Sequence, residues 1–186
     1  CATVARAAEL PLVVYDFNPV GPTVGAGFAR ELLAECPNFS FLVIEEPLMA
    51  AKVSAIRDAT NGQVGVLEGW GGAYLMELAS AGICGVVPGL GVADLLERIW
   101  RLRRVGDANE AYDLFVGVLP FLLFCQQNPE VRQYAERRLL QRRGILVSDK
   151  VREPTVMLNR HSQAYGEEVI AIFLRALDRA GLPRRP

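Results

Sequence analysis

The chain has 186 residues, of which 51% are hydrophobic and 22% charged, a composition typical of a soluble globular domain. Twenty basic residues balance twenty-one acidic ones, so the sequence lacks the positive charge that attracts nucleic acid or an anionic membrane surface. Its most apolar windows, residues 83–90 and 115–124, are shorter than the roughly 20 residues that cross a bilayer. We therefore predict a small-molecule partner, no nucleic acid and no membrane association.

The reactive side chains are few and scattered. The cysteines Cys1, Cys36, Cys84 and Cys125 are irregularly spaced and form no Cys-x-x-Cys motif, which favours a reduced, cytoplasmic location. His161 is the sole histidine, and no cluster of carboxylates or thiols accompanies it, so we predict no metal site. The glycine-rich segment 69–72 has neither dinucleotide-fingerprint spacing nor a phosphate-loop lysine, and we predict no cofactor.

Short apolar runs alternate with helical patterns over the first half of the chain. This order is typical of a parallel sheet with crossover helices, and nearly continuous apolar strands are expected where both faces are buried. The predicted strands cover residues 12–17, 39–45, 63–68 and 83–87. The predicted helices between and after them cover residues 24–35, 49–59, 73–81 and 92–104.

Beyond residue 104 the strand signal stops, and three further helices are predicted at residues 109–127, 129–143 and 162–180. Four parallel strands leave two open sheet edges, which a closed barrel would abolish. We therefore do not expect the chain to fold alone as a monomer. The first ten residues are typical of the middle of an amphipathic helix without a cap, so we expect a preceding segment, although removal of Met before Cys1 is an alternative.

Four segments resemble consecutive strands of one barrel family. Residues 10–19 (LPLVVYDFNP) resemble the Tyr-Asn-x-Pro segment of the fifth strand in the dihydrodipicolinate synthase / N-acetylneuraminate lyase family. Residues 41–47 resemble its sixth strand, residues 67–72 (LEGWGG) the glycine-bearing loop of the seventh, and residues 81–89 (AGICGVVPG) the eighth. The order and spacing of these pieces carry the resemblance, which spans nearly the whole chain.

The resemblance implies an α/β fold, a partial TIM (β/α)₈ barrel with strands corresponding to five to eight. The half-barrel would occupy residues 1–104 and a C-terminal helical extension residues 105–186. It also implies a lyase of the aldolase or dehydratase type, a homo-oligomer, and a small 2-oxo acid, pyruvate or a 2-oxo-3-deoxy acid, as substrate.

The resemblance further assigns roles to single residues. Tyr15 would be the proton-relaying tyrosine. The Schiff-base lysine would stand at Val43, or at Glu45 if the register slips by two, and neither side chain can form an imine. The only lysines are Lys52, which we interpret as solvated on a helix outside the barrel, and Lys150 in a polar loop.

Substrate contacts are predicted at the glycine-rich loop, by Gly69 and Trp70, and on the next strand, by Val87 and Pro88. The family's carboxylate-binding arginine has no counterpart among residues 20–23.

Glu45 and the adjacent Glu46 form the only acidic pair at a predicted strand, and alternation lets only one of them face the barrel interior. Glu45 facing inward could act as a general base or hold a metal ion. The alternative is a strand-end glutamate paired with an arginine.

Three functional hypotheses follow. The first is a family lyase or dehydratase of which this chain is the C-terminal portion, or a truncated fragment, with the lysine missing. The second is a non-catalytic family member, a pseudoenzyme that persists as a binding or scaffold subunit. The third is a lysine-independent enzyme for the same substrate class, with Glu45 as base and Tyr15 as acid.

Overall fold

The computed structural model describes residues 1–7, 10–18, 21–153 and 155–185, which form two compact units, Cys1–Val87 and Pro88–Pro186. The second unit begins before the helix that we predicted at residues 92–104. The predicted boundary at residue 104, between the half-barrel and the helical extension, therefore does not coincide with the boundary between the compact units and stays a prediction.

The first unit alternates helices and strands. Its four strands form one parallel sheet in the order β1-β2-β3-β4, so the predicted parallel α/β arrangement is confirmed. The elements in chain order are α1 (Ala2–Ala7), β1 (Leu12–Asp16), α2 (Ala26–Glu35), β2 (Phe39–Ile44), α3 (Met49–Ala59), β3 (Gly65–Glu68), α4 (Leu75–Ala81) and β4 (Gly85–Val86).

Six elements of the first unit are shorter than predicted. Strands β1 and β2 end one residue earlier, and β3 begins two residues later; the other three are α2, α4 and β4. Helix α2 begins at Ala26 instead of residue 24, because the backbone N–H of Val24 is bound to the Asp16 carboxylate at 3.0 Å. Helix α4 begins at Leu75 instead of residue 73, because Gly72 and the glycine before it have positive φ angles. Strand β4 has only two regularly paired residues, although the Val87 N–H still donates to the Glu68 carbonyl at 2.8 Å.

The two faces of the sheet differ in exposure. One face carries buried side chains such as Leu42, Ile44 and Val66, and its strands contact the crossover helices. The other face exposes large apolar side chains, including Val13 and Phe41. Strands of parallel sheets are usually buried on both faces, so the exposure of these apolar side chains sets this second face apart.

The second unit is helical. It consists of α5 (Ala93–Val105), α6 (Ala108–Cys125), α7 (Pro129–Arg142) and α8 (Arg160–Arg179). The side chains of Asp107, Asn128 and Asn159 cap the N-termini of the last three helices, which satisfies backbone N–H groups that have no partner within the helix.

Helix α6 is the core helix of the second unit. It contacts α5, α7 and α8, and Phe121 packs against Phe173 of α8 with ring centroids 5.8 Å apart. Among the described residues, α6 alone is long and apolar enough to cross a membrane by length and composition, with 44% of its apolar window buried inside the unit.

Candidate active site at the strand ends

Three predicted site residues lie on one face of the sheet, at the carboxyl ends of neighbouring strands. Tyr15 of β1 is in register with Val43 of β2, and Val43 with Leu67 of β3. Residues in register share a face and side chains alternate along a strand, so Glu45, two positions after Val43, projects from the same face. In a parallel sheet this edge is where ligands bind.

The Tyr15 hydroxyl donates a hydrogen bond to Oε1 of Glu45. The described partner of Glu45 is therefore a phenol, and the alternative pairing with an arginine is wrong. Tyr15 is 51% exposed, so the pair is open to an incoming small molecule. Val43, by contrast, is only 2% exposed and lies packed within the sheet.

The glycine-rich loop lies directly against this pair. A Cβ on Gly69 would stand 2.5 Å from Cγ of Glu45 and 2.9 Å from Cγ1 of Val43, closer than packed atoms approach. The missing side chain therefore lets β3 continue beside the carboxylate. Trp70 then stacks at a tilt on Tyr74, with ring centroids 5.0 Å apart, which gives the loop an aromatic support.

Glu68, which the sequence interpretation missed, is the most perturbed carboxylate in the first unit. Its side chain is fully buried, and Oε2 accepts a hydrogen bond from the Gly72 N–H at 2.7 Å. Oε1 is buried and has no hydrogen-bond partner among the residues that the structure describes. Burial, together with the nearby charge of Glu45, raises the pKa of Glu68 to about 7, against the lowering effect of the backbone N–H of Gly72.

The signal for Glu68 was present in the sequence. It is an acidic residue at the end of an otherwise apolar strand, directly before the glycine-rich loop. A carboxyl group that titrates near neutral pH can take and return a proton under working conditions, as a general acid or base does.

Lys52 lies on helix α3, as predicted, but the prediction that it is solvated is wrong. Its side chain is 11% exposed, and Nζ lies 2.9 Å from Oδ2 of Asp16 and 2.6 Å from Oε2 of Glu46. Burial acts to raise the pKa of Glu46, but hydrogen bonds from Lys52 and Thr23 outweigh it and lower that pKa. The amine is thus held between two carboxylates, one from the last residue of β1 and one from the loop after β2.

The other predicted substrate-contact residues are Val87 and Pro88. Val87 is half-buried and extends the pairing of β3 with β4; Pro88 opens the second unit. Of the positions compared with the family's carboxylate-binding arginine, Val20 lies outside the described residues, as does Pro19 of the tyrosine segment. Within the described part of the chain, no group of three or more His, Cys, Asp or Glu side chains could hold a metal ion.

The comparisons with known proteins identify the fold. No protein-family model matches the sequence, and no curated protein matches it. Solved structures do match, among them the dihydrodipicolinate synthase of Rhodopseudomonas palustris, with a TM-score of 0.81 and 21% identity over 92% of this chain and 60% of that one. The 4-hydroxy-tetrahydrodipicolinate synthase of Methylacidiphilum fumariolicum SolV has a TM-score of 0.80 and 19% identity over 97% of this chain and 59% of that one.

A third such structure, dihydrodipicolinate synthase from Cyanidioschyzon merolae, has a TM-score of 0.72 and 23% identity over 96% of this chain and 58% of that one. The chain therefore has the α/β fold of dihydrodipicolinate synthases, and the resemblance inferred from the sequence is confirmed at the level of the fold. The chain spans about three fifths of the length of these proteins.

Proposed function

We propose that this chain is the C-terminal part of a dihydrodipicolinate synthase-type (β/α)₈ barrel, with β1 to β4 as its fifth to eighth strands. Three observations support this assignment: the parallel order of the strands, the matching of nearly the whole chain to three fifths of those barrels, and the exposed apolar face of the sheet. The rest of the barrel would cover the exposed face and edges. We further expect the assembled protein to be a cytoplasmic homo-oligomer.

We further propose that the strand-end site acts on pyruvate or a 2-oxo-3-deoxy acid without an imine. The observation that carries this proposal is the hydrogen bond from Tyr15 to Glu45. The resemblance expects a tyrosine beside an amine, and a carboxylate stands beside the tyrosine instead. This pairing favours Glu45 over the packed Val43 as the position that corresponds to the Schiff-base lysine.

A carboxylate and a phenol side by side can still labilise a proton next to a carbonyl. Glu45 would accept the proton from the carbon adjacent to the 2-oxo group, and the Tyr15 O–H would then turn its hydrogen bond from Glu45 to the oxygen that gains negative charge. The absence of a side chain at Gly69 lets the Glu45 side chain pack against the glycine-rich loop, and Gly69, Trp70 and Val87 are proposed to contact the substrate. Pro88, the residue that follows Val87, stays a predicted substrate contact.

The non-catalytic alternative has its own supporting observation. Where an amine would attract the carboxylate of a 2-oxo acid, Glu45 repels it, and buried Glu68 adds a second carboxylate nearby. A binding or scaffold subunit, or a fragment whose partner supplies the missing groups, would need no base at this position. The negative charge of Glu45 is therefore compatible with a catalytic base but unfavourable for binding an anionic 2-oxo acid.

Hydrogen exchange at the pyruvate methyl group tests the proposal directly. In D₂O at pH 7.5, proton NMR should show faster exchange in the presence of the protein that carries this chain. Glu45→Gln should slow this catalysed exchange by roughly 10²-fold or more, since general bases contribute on the order of 10² to 10⁴ in rate. Tyr15→Phe should slow it less, because it removes only stabilisation of the oxyanion.

The matched control is Glu31→Gln, which makes the same change on the exposed surface of α2 and should leave the exchange unaltered. Wild-type protein that gives no exchange above buffer would overturn the catalytic proposal and favour the binding or scaffold subunit. Exchange that survives Glu45→Gln would remove Glu45 from the role of base.

A further inference from the structure

The second unit contains a basic cavity that the strand-end chemistry does not use. It has a volume of about 480 Å³ and is lined by Gln133 and Arg137 of α7 and by Lys150, Val151 and Arg152 of the segment that follows this helix. That volume lies in the range of small-molecule sites, about 300–1,000 Å³. Three of its five lining side chains are cationic, and none of the five is acidic.

The cavity wall is held together by specific contacts. Arg137 Nη2 donates to the Ser148 carbonyl at 3.4 Å, and the Lys150 backbone N–H donates to the Ser148 hydroxyl at 3.2 Å. On α7, Gln133 and Arg137 are four residues apart and therefore lie on the same helix face. The cationic side chains are thus brought together by the fold of α7 and its loop.

The neighbouring acids are already engaged elsewhere. Arg138, the next residue on α7, binds Asp149 at 2.7 Å and also binds Glu167 of α8. Successive helix residues point in different directions, so these carboxylates neutralise the Arg138 side of the helix and leave the Arg137 side positive. Nε of Arg137 is buried, and the described residues provide no acceptor for it.

We propose that this cavity binds a small molecule that carries a multivalent oxyanion, a phosphate ester or a di- or tricarboxylate. Guanidinium groups bind such oxyanions through paired, charge-assisted hydrogen bonds. Arg137 lines the cavity from α7, and the exposed residues Lys150 and Arg152 line it from the following segment. The site lies within the second unit and does not depend on the chemistry proposed for the strand ends.

Titration of the protein that carries this chain with inorganic phosphate and, separately, with citrate tests the proposal by isothermal calorimetry at low ionic strength. Saturable binding is expected for at least one of the two, and the preferred probe tells phosphate-type from carboxylate-type ligands. Arg137→Gln should weaken that binding about tenfold, which corresponds to about 1.4 kcal/mol. Lys150→Gln, an exposed change that leaves the helix intact, should weaken it several-fold.

The matched control is Arg179→Gln, which removes an exposed arginine of α8 that does not line the cavity. It should bind the probe as the wild type does. Loss of binding in the control equal to that in Arg137→Gln would show a general effect of net charge and overturn the proposal. Absence of saturable binding to both probes would overturn it as well.

Discussion

Acidic side chains at the strand ends of the first unit fall into two groups, which differ in whether a cation accompanies them. Asp16 and Glu46 share the Lys52 amine, which satisfies both carboxylates. Glu45 and Glu68 have a phenol and backbone N–H groups as their described partners. In the second group, Glu45 and Glu68 project from opposite faces of the sheet, because Glu68 is in register with Ile44, the residue before Glu45. The fold depends on a buried cation that neutralises two carboxylates, because its removal leaves uncompensated charge, whereas carboxylates that have no cation among their described partners can serve as proton acceptors. We therefore assign a structural role to Asp16 and Glu46 and treat Glu45 and Glu68 as candidate proton acceptors.

Removing the cation from the neutralised group should have the largest effect. Lys52→Met would leave Asp16 and Glu46 close together without a counter-charge, and breaking a buried pair in this way costs about 3–5 kcal/mol. Urea denaturation at pH 7 should show this loss in the free energy of unfolding. Adding Asp16→Asn to the variant should restore much of it, because one of the two like charges is then gone.

The control for this prediction is Lys150→Met, the same substitution at an exposed position, which should change the free energy of unfolding by less than about 0.5 kcal/mol. If Lys52→Met is no more destabilising than this control, the Asp16–Lys52–Glu46 cluster does not stabilise the fold. The contrast between the two groups then disappears.

Replacing Glu68 should increase the free energy of unfolding at high pH, whereas replacing Lys52 should decrease it, and the effect of Glu68 should be the smaller one. Its pKa is raised from 4.5 to about 7 in the folded protein, so the folded state holds this proton over a pH range where the unfolded state has lost it. Stability should therefore fall as pH rises from 4.5 to 7. Glu68→Gln removes this dependence. The free energy of unfolding of the variant minus that of wild type should therefore be up to about 3 kcal/mol higher at pH 8 than at pH 4.5.

The measurement is the difference in free energy of unfolding between wild type and Glu68→Gln as a function of pH, in which other titrating groups cancel. A difference that is flat from pH 4.5 to 8 would mean that Glu68 titrates normally. In that case Glu68 would belong with the solvated carboxylates and not with the candidate site.

Much of the first unit could be predicted from the sequence, because its strands are nearly continuous apolar runs separated by helical patterns. Gly82, which follows α4 directly, has the positive φ angle that glycine tolerates at the end of a helix. The shorter starts of α2 and α4 could not be predicted, since they depend on a contact between distant residues, Asp16 with Val24, and on the conformation of a glycine loop.

The site was predicted in part. Tyr15 and Glu45 could be placed at one strand edge from spacing and resemblance, and the structure brings them into contact. The pairing of Lys52 could not be predicted, because a lysine at the start of a helix has the same local pattern whether it is solvated or bound by carboxylates from two other segments. The buried state of Glu68 depends on the loop that folds over it, which the strand pattern does not specify.

We propose that Glu45 occupies the position at which the sequence resemblance predicts an imine-forming lysine. Intact-mass and peptide mass spectrometry after treatment with pyruvate and borohydride tests it most directly. We expect no reduced pyruvate adduct within residues 1–186 of the wild type, an adduct at position 45 in Glu45→Lys, and none at position 31 in Glu31→Lys, the same change at an exposed site. A trapped adduct on Lys52 or Lys150 of the wild-type chain would contradict the account.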